Sequence, residues 1–87
     1  EWLRSQWRGT LVLKGVLSPA DARRAAECGA NALMISNHGG RQLDGVPAPV
    51  DLVRPVREAV GGDLELVVDG GIQRGTDIVK ALALGAD

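Results

Sequence analysis

The 87-residue sequence has no tyrosine, no phenylalanine and only two tryptophans. A short domain that folds alone normally fills its core with large side chains. Here valine, leucine, alanine and glycine must fill it, which predicts strands buried on both faces inside a larger assembly. The single cysteine, Cys28, excludes an internal disulfide or a zinc cluster and suits a reducing compartment. Basic and acidic residues nearly balance, with a net charge of −1, so no nucleic acid or anionic membrane is expected as a partner. No apolar run approaches the roughly 18 residues needed to cross a bilayer. No secretory leader is evident, and the opening EWLRSQWRG reads as the interior of a longer chain.

Three short apolar runs are present: Thr10 to Leu17 (TLVLKGVL), Asn31 to Ser36 (NALMIS) and Leu64 to Gly71 (LELVVDGG). None alternates cleanly and each closes on glycine or a small polar residue, the pattern of parallel strands covered on both sides. Helical signals lie between them. Ser18-Pro19 supplies an N-cap and a proline at the first helical position, Asp21 favours the first turn, and Gly29 is placed to stop the helix. Val50 to Val60 reads as a second helix in which Pro55 predicts a late start near Arg54 or a kink. A third helix is predicted from Thr76 to Gly85. Residues 1–9 read as the tail of a preceding helix, with Trp2 and Leu3 packing inward. Alternating strands and helices imply βαβ units on a parallel sheet. The expected fold is α/β, part of a TIM (β/α)₈ barrel with about three βα units, and a doubly wound sheet is the second choice.

In such folds ligands meet the carboxyl ends of the strands. Those ends carry Lys14-Gly15, then Ser36-Asn37-His38-Gly39-Gly40-Arg41, then Asp69-Gly70-Gly71 leading to Arg74. Lys14 lies in an apolar run, where its charge needs an anionic partner. It either snorkels to water from a sheet edge or faces an electron-rich cofactor atom. His38 can exchange protons near neutral pH. The two glycines after it leave open space, and Arg41 offers a planar fork for a carboxylate. A base beside a carboxylate clamp suits proton abstraction from a small acid. The glycine-rich turn from Asp69 to Thr76 can present backbone N–H groups and a helix N-terminus to a phosphate. Cys28 reads as a packed residue away from the ligand end, and Arg54, Arg57 and Glu58 read as a solvated helix face.

At these residues the sequence resembles the FMN-dependent 2-hydroxy acid dehydrogenase and oxidase family, which includes glycolate oxidase, L-lactate dehydrogenase, flavocytochrome b2 and mandelate dehydrogenase. LVLKGV, SNHGGRQLD, DGGIQRGTD and KALALGAD occur in the family's order along nearly the whole chain. SNHGGRQLD is the specific element, whereas DGGI-x-RG is shared with other phosphate-binding barrels. The resemblance implies FMN as cofactor and oxidation of an L-2-hydroxy acid to the 2-oxo acid. It implies His38 as the base and Arg41 as the holder of the substrate carboxylate. Lys14 would contact the flavin pyrimidine edge, Ser36 would bind the cofactor, and Asp69 would bind the ribityl hydroxyls. Gly70, Gly71, Ile72, Gln73 and Arg74 would approach the phosphate. The strands would be the fifth to seventh of the barrel, making residues 1–87 a partial FMN-binding barrel domain.

Two departures accompany the resemblance. Many members carry two arginines where this chain has Gln73-Arg74. The family's substrate-contacting tyrosines, the carboxylate paired with the histidine and the phosphate contact on the eighth strand have no counterpart here. The chain is therefore expected to be a fragment, inactive by itself, of an enzyme that is cytoplasmic or membrane-associated and a homo-oligomer. Its electron acceptor (oxygen, a quinone or a cytochrome) is left open. Two alternatives compete. One is another phosphate-binding barrel oxidoreductase of the IMP dehydrogenase or GMP reductase kind, which would need a nucleophilic cysteine on a loop. The other is a catalytically inert fragment.

Overall fold

The computed structural model describes residues 1–87. The elements run α1 (Trp2–Gln6), β1 (Val12–Val16), α2 (Pro19–Glu27), β2 (Ala32–Ile35), a short 3₁₀ turn (His38–Gly40), α3 (Pro49–Val60), β3 (Glu65–Val68) and α4 (Gly75–Leu84). The three strands form one parallel sheet in the order β1-β2-β3. Each strand is followed by a helix, as the alternating pattern predicts.

The core lies on one face of this sheet. Leu33 and Ile35 of β2, Leu66 of β3, Ala22 of α2, and Val53 and Val56 of α3 are fully buried. They form one cluster with Val16, Ala25, Val60 and Leu64. Helices α2 and α3 pack against each other over the strands. Side chains alternate along a strand, so this burial assigns the intervening residues to the opposite face. Lys14, Met34 and Val67 stand level with one another there.

One irregularity interrupts the alternation. Lys14 pairs with Met34 and Val16 pairs with Ile35, leaving Gly15 as an extra residue on β1. This is a β-bulge, and Gly15 takes φ +89, a conformation that glycine adopts without Cβ strain. Without the extra residue, Val16 would emerge on the same face as Lys14. With it, Lys14 stays on the open face while Val16 turns into the core, where it is 4% exposed.

The helix termini follow local chemistry. Ser18 caps α2: its Oγ accepts the Asp21 N–H at 3.1 Å, with Pro19 at the first helical position. Helix α3 differs from expectation because it starts at Pro49 and continues through Pro55 to Val60. Pro49 occupies the first turn, where a missing N–H costs nothing. Burial of Val53, Val56 and Val60 on both sides of Pro55 outweighs the one hydrogen bond that proline removes.

Two further expectations are corrected. Trp2 and Leu3 do not pack inward; they are 72% and 58% exposed. No other element covers α1, which is held instead through Arg4. Its guanidinium donates to Gly29 O, Asn31 Oδ1, Gly9 O and Trp7 O. Arg57 is likewise not on a solvated face. It donates to Gly85 O at 2.8 Å, to Gly61 O at 2.6 Å and to Leu64 O at 2.9 Å, and pairs with the Asp87 carboxylate. Its aliphatic stem packs so closely on Gly85 that a Cβ there would lie 2.8 Å from Cγ. Arg57 thereby ties the end of α3 to the end of α4 and to β3. Asp87 extends this link, since its carboxylate accepts the Leu66 N–H and its own N–H donates to Leu66 O.

Two outcomes are expected. Leu33→Ala should lower stability by about 2–5 kcal/mol through cavity formation, measured by denaturant unfolding. The Leu66 N–H, assisted by Arg57, holds the Asp87 carboxyl below the ordinary carboxylate value against the opposing effect of desolvation. A carboxyl lowered in the folded state stabilises above its unfolded value and loses that contribution as pH falls through the folded value. Asp87→Asn should therefore weaken the protein at neutral pH and flatten the stability decline below about pH 4, read from unfolding midpoints across an acid series.

Candidate active site

Because the strands are parallel, their carboxyl ends form one rim, and the residues singled out from the sequence meet there. Asp69 follows Val67 by two residues, so alternation returns it to the face of Lys14. The two side chains form an ion pair across β2, with Nζ 3.6 Å from Oδ2, and both are about half exposed. Lys14 has the anionic partner that its apolar setting calls for, and its ammonium still reaches the open side of the rim.

Ser36 is fully buried, and its Oγ accepts the backbone N–H of His38 at 3.1 Å. This bond anchors an unusual conformation. His38 has φ +56, the only non-glycine residue in the chain with positive φ. A left-handed backbone costs a non-glycine residue roughly 1–2 kcal/mol. Ser36 holds one side of the residue, and the Arg41 N–H closes the turn on the His38 carbonyl at 3.3 Å. The His38 ring lies over the bulge of β1: its Nε2 is 2.9 Å from where a Cβ on Gly15 would stand. The imidazole thus sits beside the residue that follows Lys14. Neither ring nitrogen makes a hydrogen bond within the chain.

Arg41 leaves the same turn and is exposed. Its guanidinium has no hydrogen bond or ion pair in the chain, so its five donors are free for a ligand. Gly39 and Gly40 stand in open space, with nothing within 4 Å of a Cβ at either position.

The end of β3 adds two acceptors. Asp69 Oδ1 and Asn37 Oδ1 are buried and have no hydrogen-bond partner. Asn37 Oδ1 faces Gly70, 3.5 Å from a Cβ placed there. A buried acceptor without a donor costs about 1–3 kcal/mol, so this corner calls for a donor such as a hydroxyl-bearing chain. Asn37 lies within the strand-end motif but was given no role from the sequence, because its side chain matters only once β2 and β3 lie side by side.

The glycine turn after Asp69 differs in part from expectation. The Gln73 and Arg74 N–H groups are already engaged, donating to Asp77 Oδ2 at 3.2 and 3.0 Å, which caps α4. The N–H groups of Gly71, Ile72, Gly75 and Thr76 have no acceptor in the chain. The Arg74 guanidinium is exposed, with Nε 3.9 Å from Asp77. Anion-binding capacity on this turn therefore rests on those four free N–H groups and on Arg74, while Gln73 and the Arg74 amide serve the helix. Cys28 caps the far end of α2, remote from this rim.

These residues fit the cofactor that the sequence motifs imply. The rim offers a lysine, a buried serine, two unpartnered acceptors and a turn with free N–H groups. No grouping of His, Cys, Asp and Glu suits a metal ion, and no helix is long and apolar enough to cross a membrane.

Comparison with known proteins gives a consistent result. The profile of the FMN-dependent dehydrogenase family matches residues 1–87. An L-lactate dehydrogenase of Caulobacter sp. (strain K31) is 52% identical over 86 residues, covering 99% of this chain and 23% of that protein. A pre-mycofactocin synthase of Mycolicibacterium smegmatis is 53% identical over 85 residues, covering 98% of this chain and 21% of that protein. The crystal structure of mandelate oxidase with (S)-4-hydroxymandelic acid superposes with a TM-score of 0.94 at 47% identity, over 98% of this chain and 24% of that one. The chain thus spans about a quarter of the length of these relatives.

The two kinds of polar contact on the rim should respond differently to substitution. Lys14→Gln breaks an exposed ion pair and should change stability by less than about 1 kcal/mol. Ser36→Ala removes the part-buried bond that the His38 N–H donates and should cost about 1 kcal/mol, near the net worth of one hydrogen bond. Denaturant midpoints of the two variants give the comparison.

Proposed function

The chain belongs to the FMN-dependent dehydrogenase family, and on that premise we propose that it supplies the base and the carboxylate clamp of an enzyme oxidising an L-2-hydroxy acid to the 2-oxo acid. The observation that supports this most directly is the single turn from which His38 and Arg41 both leave the strand rim, beside the Lys14–Asp69 pair. The fold is a stretch of the barrel seen in mandelate oxidase, and the family's cofactor is FMN.

Each residue has a role that its surroundings support. Arg41 has an unpaired planar fork and pairs with the substrate carboxylate, fixing the orientation of the α-carbon. His38 takes a proton from the bound hydroxy acid at its imidazole, whose nitrogens are uncommitted within the chain. FMN, when bound, supplies the two-electron oxidation. Lys14 would offer a fixed positive charge to the reduced flavin, with Asp69 holding that ammonium at 3.6 Å. Asp69 Oδ1, buried without a donor, would accept from a ribityl hydroxyl of FMN. Ser36 keeps a hydroxyl proton to donate to the cofactor while it accepts from His38. Gly70, Gly71, Ile72, Gln73 and Arg74 line the phosphate end: the free N–H groups and the Arg74 guanidinium provide attraction, and Gln73 contributes its neutral amide.

The enzyme so described is longer than this chain, and its substrate pocket is completed by other segments. We take it to be a homo-oligomeric enzyme of the cytoplasm or of the membrane surface. The names of its relatives include both a dehydrogenase and an oxidase, and the acceptor is left open among oxygen, a quinone and a cytochrome. The IMP dehydrogenase-like alternative lacks support, because Cys28 lies at the wrong end of α2 to act at the rim.

In the full-length protein, His38→Ala should abolish turnover of a 2-hydroxy acid while the yellow flavin absorbance is retained. Near-normal activity would remove the base assignment. Arg41→Lys should raise KM and also lower kcat, because the bidentate fork is lost. Steady-state kinetics with a carboxylate substrate, unchanged in that variant, would remove the clamp.

A further inference from the structure

We propose that Gly15 is a positioning residue for the His38 imidazole, and that the bulge in β1 exists to make room for that ring beside Lys14. The inference rests on the functional reading of His38 but is carried by separate observations. Gly15 is the unpaired residue where the β1–β2 register shifts between Lys14 and Val16. Its φ of +89 disfavours any side chain on backbone grounds alone. A Cβ there would stand 2.9 Å from His38 Nε2, 3.5 Å from Cε1 and 4.0 Å from Cδ2. All three neighbours belong to one imidazole, so the space that Gly15 leaves empty is the seat of that ring.

The seat matters because nothing else in the chain holds the ring. The His38 backbone is fixed by Ser36 and by the Arg41 amide, but neither ring nitrogen has a partner. His38 takes a strained φ of +56 at the end of β2, and its ring rests against Gly15 of the neighbouring β1. Strain of this kind persists only where the surrounding structure enforces it, and it is characteristic of functional sites. The same bulge keeps Lys14 on the rim face and sends Val16 into the core. One inserted glycine therefore lets Lys14 stay level with Met34 while Val16 enters the core, and leaves the space against which the His38 ring rests.

A Cβ at residue 15 must push the ring away or tilt it, since 2.9 Å is shorter than side chains tolerate. A displaced base remains chemically intact but loses alignment. Misplacement by about 1 Å costs on the order of a hundredfold in rate. Substrate binding through Arg41 should change much less.

The test uses the full-length, flavin-loaded protein with Gly15→Ala and Gly15→Asn. Asparagine tolerates positive φ better than alanine and carries the same Cβ. The expected result is unchanged flavin absorbance, KM within about threefold, kcat lowered on the order of ten- to a hundredfold, and a shifted limb in the pH dependence of kcat/KM. A crystal structure of either variant should show the His38 ring moved off residue 15. A folded variant with parental kcat and pH profile, or with the ring in its original place, would overturn the proposal. Failure of both variants to fold would also overturn it, because Gly15 would then be a folding requirement only. His38→Ala assayed in parallel separates the two claims. Should that variant keep its activity, the base assignment falls, and the position of the ring in the Gly15 variants alone judges this one.

Discussion

Packing of Leu33, Ile35 and Leu66 beneath α2 and α3 decides which way every other strand residue points. Strand side chains alternate with a period of two, so burying these three commits Lys14, Met34, Val67 and Asp69 to the other face. A slip of one residue would bury Lys14 and Asp69 and expose the leucines. The cost of that exchange, several apolar side chains against a buried ion pair, is far larger than anything the exposed Lys14–Asp69 contact contributes. The polar residues of the rim are thus positioned by hydrophobic burial on the opposite face of the sheet.

The rim carries several energetically unfavourable features in one small region. His38 has a left-handed backbone, Asp69 and Asn37 each bury an acceptor without a donor, and Arg41 has no partner. The opposite ends of the strands show the reverse. There Arg57 satisfies the carbonyls of Gly61, Leu64 and Gly85, and Asp87 closes the set. The contrast is physical: one end is satisfied within the chain, and the other waits for groups from outside it. Under the proposed function, the ribityl hydroxyls and phosphate of FMN would supply a donor for the Asp69 acceptor and an anion for the free N–H groups of the glycine turn.

Much of the fold was legible in the sequence because its signals are local. Ser18-Pro19 with Asp21 specifies a cap through atoms three residues apart, and the structure shows that bond. The strand cores, the stop after Val60 and the start of α4 beside Arg74 were readable for the same reason. The failures share a cause as well. Pro55 argued against a continuous helix, yet burial of Val53, Val56 and Val60 overrides the local preference. Trp2 and Leu3 looked like core residues by type, but no element of the chain covers them. Arg57 looked like surface by type, but three carbonyls and a carboxylate converge on it from α4, β3 and the α3 stop. In the site, the motif residues were recognisable, whereas the buried, unpartnered state of Asn37 Oδ1 and the use of two loop amides by Asp77 were not.

The sequence by itself determined the order of strands and helices, the capping of α2, the family, and the residue types available at the strand ends, because each depends on neighbours along the chain or on a motif. Only the tertiary structure decided the bulge at Gly15, the pairing of Lys14 with Asp69, the resting place of the His38 ring and the unpaired state of Asn37. Those depend on the register between strands that are about twenty to more than fifty residues apart in the chain, and register is set by burial summed over the whole sheet rather than by any one stretch.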